Sequence, residues 1–291
     1  MRSTVHARVR TVVTLVCLTG MVGLRAEEPR ASPQQPGAPG GVTASPQVLA
    51  SPQRPGLVIP PGLPRYDLSV RIDPQARTVV ARERVVFTNR SSQPTGELVF
   101  HVYPRYALPE KDRLIVGKTM EMLRLSPEEA LDSHGHRLEI RRVVVDGRDA
   151  RSRFDPSDET ILTVPLARAV PPGGTAVCVF EFTLDLPPKW GRWGSYGGIT
   201  YLLNWYPVLA HHDAKGWART PFVPWHQPWY QEAGHYTAWV ELPAEQVVAS
   251  SGRITRREVV RPGWQRLLIE TGSAPARDFA LVCSDRFRTW Q

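Results

Sequence analysis

Short segments in which apolar and polar residues alternate recur along most of this 291-residue chain. In the first of them, residues 66–72, every second residue is apolar and Asp73-Pro74 ends the run. A period of two residues places one side of a segment in a core and the other in water, which is the pattern of a half-buried β-strand. The same reasoning predicts strands over residues 66–72, 77–89, 97–103, 138–145, 148–154, 160–166, 175–186, 236–241, 247–250, 265–271 and 278–284.

Turn residues separate these segments and indicate how the strands connect. Asp146-Gly147 lies between two apolar runs and is a strong hairpin signal, and the Pro-Pro-Gly-Gly run at 171–174 separates two further strands. One helix is expected, a short one that Ser126 would cap and in which Pro127 would occupy the first turn. The sequence therefore predicts a mostly β fold, a saddle-like antiparallel β-sandwich of about ten strands with at most one short helix.

The N-terminal part of the chain resembles an export signal followed by a linker. In residues 1–26 basic residues precede an apolar run, 12–22, that is too short to span a bilayer comfortably. Cleavage after Ala26 is expected; attachment as a lipoprotein through Cys17 and an uncleaved membrane anchor are the alternatives. Residues 27–64 hold ten prolines and five glycines without apolar periodicity, which predicts a disordered linker. The chain is thus expected to be periplasmic or extracellular, with residues 65–291 as one β-domain.

Aromatic residues concentrate in residues 201–243, which contain five of the nine tryptophans and four of the eight histidines. Pro207, Pro221, Pro224 and Pro228 interrupt this stretch, so it cannot form one long helix. Aromatic side chains bury large areas and anchor binding surfaces. The stretch is therefore a candidate functional surface, although the tryptophans would equally serve to close one end of the β-structure.

The sequence lacks the common catalytic motifs. It contains no HExxH, no GxSxG, no Walker loop and no GxGxxG after a strand. The best metal candidate is His211-His212-Asp213, with His226 and His235 downstream, but adjacent histidines of a strand point to opposite faces. No catalytic, cofactor-binding or metal-binding residue is therefore assigned, and a metal-dependent hydrolase built on these histidines is the weakest hypothesis.

Cysteine content and charge restrict the environment and the partners. Once the export signal is removed, Cys178 and Cys283 remain, and they would form either one disulfide or two buried thiols. The formal net charge is +8, but the arginines that dominate it are scattered, with no basic helix and no basic-aromatic repeat. Nucleic acid is therefore not an expected partner.

Five runs of sequence carry a family resemblance. The first is YDLSVRIDPQARTVVARERVVFTN, and the later ones are NWYPVLAHHDAKGW, PWYQEAGHYTAWVELP, VVASSG and RDFALVCSDRF. In this order they resemble the N-terminal domain of the M1 peptidases, the gluzincin zinc aminopeptidases related to aminopeptidase N. The runs are spread over nearly all of residues 65–291, and the resemblance implies a saddle-like β-domain.

The resemblance also implies that a second domain carries the catalytic residues. In the family a thermolysin-like catalytic domain follows, with a GxMEN-type loop and an HExxH motif that binds zinc, and neither motif occurs in these 291 residues. The implied role is that of a non-catalytic N-terminal domain of a secreted zinc aminopeptidase, as a truncated or split chain. It would shape the active-site cleft, meet peptide substrates indirectly and dock a catalytic domain in cis or in trans, and the zinc would belong to that catalytic domain.

Four residues are predicted to face this interface or the substrate: Asn204, Trp205, Tyr206 and Trp217. Tyr206-Pro207 is similar to the FPC-like turn of the family, which lies near the group that meets the free amine of the substrate. No glutamate precedes the turn here, so Asn204 is the nearest polar candidate. The alternative function is a free-standing secreted β-sandwich binding module that uses its aromatic surface to bind peptide or glycan.

Overall fold

Strands dominate the structure, a computed structural model that describes residues 59–132, 134–222 and 230–288. The strands in these ranges are β1 Arg65–Asp73, β2 Thr78–Thr88, β3 Thr95–His101, β4 Leu138–Val145, β5 Arg148–Asp149, β6 Arg153–Phe154, β7 Ile161–Val170, β8 Thr175–Asp185, β9 Trp193–Tyr196, β10 Ile199–Leu202, β11 Val208–Leu209, β12 His212–Asp213, β13 Gly216–Trp217, β14 His235–Pro243, β15 Val247–Ser250, β16 Arg253–Arg261, β17 Trp264–Glu270 and β18 Leu281–Ser284. The helices are α1 Arg113–Met122, α2 Pro127–Ala130 and two 3-10 turns, Tyr103–Arg105 and Glu110–Asp112. The prediction of a mostly β fold is confirmed.

The largest unit is a sheet of eight strands in the order β16-β17-β14-β1-β2-β8-β4-β5. Its neighbours run antiparallel except for β1 and β14, which are parallel, with Arg65 opposite His235 and Arg71 opposite Glu241. Parallel strands cannot be joined by a tight turn. Most of the described chain therefore lies between these two central strands in sequence.

Alternating burial explains why these segments form strands. Along β1 the side chains of Tyr66, Leu68, Val70 and Ile72 are buried, and the residues between them are mostly exposed. The strands β2, β8 and β14 show the same pattern. Each large apolar side chain that is fully buried in this way contributes about 1.5–3 kcal/mol, so one face of the sheet is fixed toward the core.

Two four-stranded sheets, β15-β18-β10-β9 and β11-β3-β7-β6, share that core, and β12 and β13 form a separate hairpin. The ring of Phe180 on β8 meets the ring of Phe100 on β3 edge to face, with centroids 4.7 Å apart. The ring of Phe182, also on β8, lies 6.1 Å from that of Trp205, which follows β10. One contiguous core therefore holds the three large sheets together.

Glu83 of β2 is an exception within this core. Its side chain points inward and is 0% exposed, and neither carboxyl oxygen has a hydrogen-bond partner among the described residues. Burial raises the pKa of Glu83 well above its ordinary value. The folded domain therefore favours the neutral acid at this position.

The predicted hairpin and the position of the predicted helix are confirmed, whereas the predicted cap by the Ser126 side chain is wrong. Asp146 and Gly147 both have positive φ, 47° and 81°, and connect β4 to β5, as an Asp-Gly hairpin turn requires. The helix α2 begins directly after Ser126, although the Ser126 hydroxyl bonds the carboxylate of Glu128 at 2.7 Å rather than capping the backbone.

The helix α1 has no counterpart in the sequence prediction. Asp112 precedes it without making a side-chain cap, and Gly117 lies in its middle. Its buried residues Val116 and Met120 pack with Leu108, so tertiary contacts stabilise it more than local signals do. Within the described ranges, no helix has the length and apolar character needed to cross a membrane.

The predicted export signal, residues 1–26, lies outside the described residues, as does the predicted linker, 27–64, up to residue 58. The last two linker residues, Leu63 and Pro64, are buried. The Pro64 carbonyl accepts a hydrogen bond of 2.9 Å from the His235 N–H. The packed part of the chain therefore begins just before β1.

Both described cysteines are buried free thiols. Of the two alternatives left by the sequence, the structure has the thiols and not the disulfide. Burial raises the pKa of Cys178, and it raises the pKa of Cys283 to about 12. Because the thiolate is the reactive form, both residues should be inert in the folded domain.

We therefore expect iodoacetamide to modify neither Cys178 nor Cys283 in the folded protein at mildly alkaline pH, and to modify both after unfolding in guanidinium. Mass spectrometry of proteolytic peptides would read each position separately. Native-state labelling of either cysteine at the rate of free cysteine would contradict its burial.

Candidate functional site

A buried turn at residues 203–207 connects β10 to β11. Its Asn204 is only 2% exposed and has a positive φ of 51°, a conformation that Asn tolerates better than most residues with a side chain. The Asn204 N–H donates to Asp278 Oδ2 at 2.9 Å. The Asn204 side chain donates to Gln231 Oε1 at 3.0 Å and accepts from Arg192 at 3.1 Å. These three bonds hold the turn in its strained conformation.

Tyr206 links this turn to two other parts of the domain. Its hydroxyl lies 3.1 Å from Asp278 Oδ1 and 3.1 Å from the Tyr236 hydroxyl, and it accepts a bond of 3.0 Å from the Phe279 N–H. The ring of Tyr236, on β14, stacks on the ring of Tyr66, on β1, with centroids 4.6 Å apart. The turn is therefore tied to the parallel strand pair at the centre of the large sheet.

Asp278 is the acidic centre of this network. Burial raises the pKa of Asp278 to about 6, against the opposing effect of the hydrogen bonds from Asn204 and Tyr206 and of the charge of Arg192. The groups that bond the Asp278 carboxylate are donors. Ser251 donates to the Asp278 carbonyl at 2.8 Å and has no neighbouring histidine base in this network. The arrangement can hold a turn rigid, but it does not assemble a nucleophile and a base.

The sequence prediction missed Asp278, Arg192 and Gln231. Arg192, Gln231 and Asp278 lie 12, 27 and 74 residues from Asn204 along the chain, and the fold brings them together. Asp278 carried one signal, because it is a lone acidic residue directly before the apolar run FALVC. A charged residue at the start of a buried strand usually has a partner in the core or at its rim.

Three of the four residues predicted to face a partner lie inside the domain. Trp205 and Tyr206 are 0% exposed and Asn204 is 2% exposed. The indole N–H of Trp205 donates to the Phe279 carbonyl at 3.0 Å. Because side chains of this same domain cover them, these residues shape the turn and leave no face of their own for a partner, which corrects the expectation.

Trp217 is the predicted residue that does reach the surface. It is half-buried on β13, its ring lies 4.5 Å from the ring of His212 on β12, and its indole N–H donates to Thr95 Oγ1 at 3.0 Å. An open cleft of about 620 Å³ lies between this hairpin and the start of β3, and Glu97 and Asp213 are among its lining residues. A fixed aromatic ring beside polar groups is an arrangement that can bind a ligand.

The histidine candidates do not converge. His211 Nε2 lies 3.8 Å from Asp213 Oδ2, whereas His212 packs against the β13 tryptophan, and burial lowers the pKa of His212. His235 lies 3.2 Å from a backbone carbonyl, and His226 lies outside the described residues. In the part of the chain that the structure describes, no three His, Cys, Asp or Glu side chains are arranged to hold a metal.

Comparison with known proteins gives matches at the level of structure. No family model and no curated protein matches the sequence. The solved structures that match include M1 zinc metallopeptidases. The one from Deinococcus radiodurans covers 77% of this chain with 16% identity and a TM-score of 0.48. A variant of it bound to a Tyr-Ser-Ala substrate has the same values. A two-domain M1 zinc metallopeptidase variant bound to L-tryptophan matches with 15% identity and a TM-score of 0.49.

These similarities are confined to part of the M1 structures, because this chain spans 42% of the length of each of them. At such low identity the similarity concerns the fold alone. The family that the sequence resembles and the family of these solved structures are the same.

Proposed function

We propose that this chain is the non-catalytic N-terminal domain of an exported M1-like zinc aminopeptidase, in which it forms one side of the active-site cleft and docks the catalytic domain. The resemblance of five runs, in order, over nearly all of residues 65–291 supports this proposal. The zinc, the general base and the HExxH motif would belong to the catalytic domain, whether in the same chain or in a partner. Export is proposed from the basic and apolar pattern of residues 1–26.

The observation that supports docking is an apolar surface on and just after α1. Leu114 and Ile115 are 76% and 64% exposed, and Met122 and Leu123 are 84% and 58% exposed. The opposite side of the same helix, with Val116, is buried against the domain. A helix with apolar residues on both sides buries both of them in its working state, so we assign the exposed side to the contact with the catalytic domain.

We expect the triple variant Leu114→Ser, Ile115→Ser, Met122→Ser to lose affinity for an HExxH-bearing M1 catalytic domain encoded in the same genome. Each large apolar side chain buried at an interface contributes on the order of 1 kcal/mol or more, so the dissociation constant should rise roughly a hundredfold. Isothermal titration calorimetry on the separately produced chains would measure it. The variant should unfold at the wild-type temperature, because none of the three side chains is buried.

The matched control is Val80→Ser, which replaces an apolar residue that is 50% exposed on the outer face of the large sheet. This variant should bind the catalytic domain as the wild type does. Equal affinities of the triple variant and the wild type would remove α1 from the interface. Failure of the wild-type chain to bind any such catalytic domain would overturn the proposed function.

The second candidate function is a free-standing binding module for peptide or glycan, and the cleft beside Trp217 favours it. In that case Trp217→Ala would abolish binding to peptide or glycan arrays, and the triple α1 variant would bind like the wild type. The two functions therefore differ in which of the two surfaces carries the binding.

A further inference from the structure

The strand β16 forms an open edge of the eight-stranded sheet. It pairs with β17 on one side, and no strand of the described residues pairs with its other side. The backbone N–H and C=O groups along such an edge can pair with an added strand. Register irregularities at 254/256 and 259/261 leave residues 256–259 as the regular stretch.

The side chains of β16 give this edge a positive charge. The exposed cations are Arg253, Arg256, Arg257 and Arg261. The one acidic residue of the strand, Glu258, is already bonded at 2.6 Å by Arg256 and at 2.6 Å by Arg266 of β17. Arg253 and Arg257 form no ion pair within the described ranges, although Glu270 lies directly opposite Arg253 in the register. Arg257 donates to Gln265 Oε1 at 2.6 Å, and Arg261 pairs with Glu241 at 2.9 Å. Four arginines against one glutamate still leave this strand with an excess of positive charge.

Apolar and aromatic groups accompany this charge. Val259 is 83% exposed and Val260 is 36% exposed. The guanidinium of Arg261 lies 4.2 Å from the ring centre of Trp264, which is on the neighbouring strand. Tryptophan and arginine are enriched where proteins bind each other. Exposed valines do not prevent another strand from pairing with an edge.

A second copy of this chain is a poor occupant of the edge. If two β16 strands paired antiparallel, the arginines of one would lie close to those of the other, and like charges on facing strands destabilise the pair. A segment with carboxylate side chains would reverse the sign of this interaction. Charge complementarity therefore selects an acidic strand.

We propose that the free edge of β16 binds an extended, acidic segment of a partner protein and adds it as a further strand to the eight-stranded sheet. A carboxylate of the segment pairs with Arg257, and the side chain two positions along the segment packs on Val259, which lies on the same face of the sheet as Arg257. Arg253, opposite Glu270 on the other face, adds positive charge at the end of the strand. The regular stretch at 256–259 provides the backbone pairing. This site is separate from α1, so it does not depend on the function proposed above.

Fluorescence anisotropy with the full chain and a labelled Val-Glu-Val-Glu-Val-Glu peptide tests the proposal. We expect saturable binding of this peptide and at least about tenfold weaker binding of the matching Val-Lys peptide. A Val-Glu peptide N-methylated at alternate residues keeps the charge but cannot pair its backbone, and it should bind at least about tenfold more weakly as well.

The double variant Arg253→Glu, Arg257→Glu should weaken binding of the Val-Glu peptide by at least about tenfold without breaking an ion pair of the fold. The control Arg151→Glu, Arg168→Glu changes the net charge equally at exposed positions elsewhere and should leave affinity within about twofold. Equal losses in the two variants would show attraction to the overall +8 charge and overturn the site. Equal binding of the N-methylated peptide, or no binding of the Val-Glu peptide, would overturn strand addition.

Sedimentation velocity tests whether a second copy of the chain occupies the β16 edge. A dimer of the wild-type chain that Val259→Arg dissociates would show that a second copy fills the edge, which would overturn the proposal. A wild-type chain that stays monomeric while it binds the Val-Glu peptide agrees with it.

Discussion

In the wild-type chain we expect the free energy of unfolding to fall as the pH rises from acidic values, and we expect the Glu83→Gln variant to lack the part of this fall that Glu83 causes. Burial raises the pKa of Glu83 well above its ordinary 4.5, so over this range the folded state keeps a proton that the unfolded chain releases. The corresponding stability is fully present below about pH 4.5. It falls by about 1.4 kcal/mol per pH unit until the pH passes the folded-state pKa. Glutamine cannot ionise, so this slope disappears in the variant.

Urea unfolding of both proteins from below pH 4.5 to mildly alkaline pH measures the effect as a difference. Burial raises the pKa of Asp278 to about 6, so the ionisation of Asp278 also lowers the stability of the fold as the pH rises. It is present in both proteins, so its contribution cancels. The control is Glu181→Gln on β8, where the side chain is 45% exposed. Parallel pH curves for wild type and Glu83→Gln would contradict a neutral Glu83 in the folded core.

The Tyr206→Phe variant should destabilise the domain by about 2–4 kcal/mol. The lost hydroxyl leaves the Phe279 N–H without its acceptor and removes a donor from the Asp278 carboxylate. It also removes the hydroxyl contact with Tyr236, which stacks on the central strand β1. Because Tyr206, Tyr236 and Phe279 are buried, water does not replace their lost bonds at low cost.

Thermal and urea unfolding would measure this cost against Tyr230→Phe. Tyr230 is 52% exposed, and its replacement should change stability by less than about 0.5 kcal/mol. If Tyr206→Phe unfolded like the control, the hydroxyl network would not stabilise the turn at 203–207.

Local periodicity predicted the strands that have one buried and one exposed side. Residues 66–72 alternate cleanly, and they form β1. The strand β16 was missed because nearly all of its residues are exposed. Such an edge strand shows no alternation of apolar and polar residues in the sequence. The helix α1 was missed because its glycine and its uncapped start resemble a loop, and packing on Leu108 outweighs them.

The functional site was harder to predict than the strands. Trp205 and Tyr206 were assigned to a surface because aromatic residues anchor interfaces, and such residues anchor cores equally well. What decides between these roles is contact with Phe182, Phe279 and Tyr236, which are distant in sequence. Trp217 belongs to the same aromatic stretch as Trp205 and Tyr206. It reaches the surface only because it lies on the β12–β13 hairpin.

The parallel pairing of β1 with β14 also bears on how the domain folds. Arg65 cannot meet His235 until the ribosome has made every described strand from β2 to β13. Contacts of such long range slow folding, because the entropy of closing the loop is lost before the contact forms. Among the described strands, β1 is made first but gains its second neighbour only when β14 follows. Until then β1 exposes an unpaired edge, which favours aggregation of the unfinished chain.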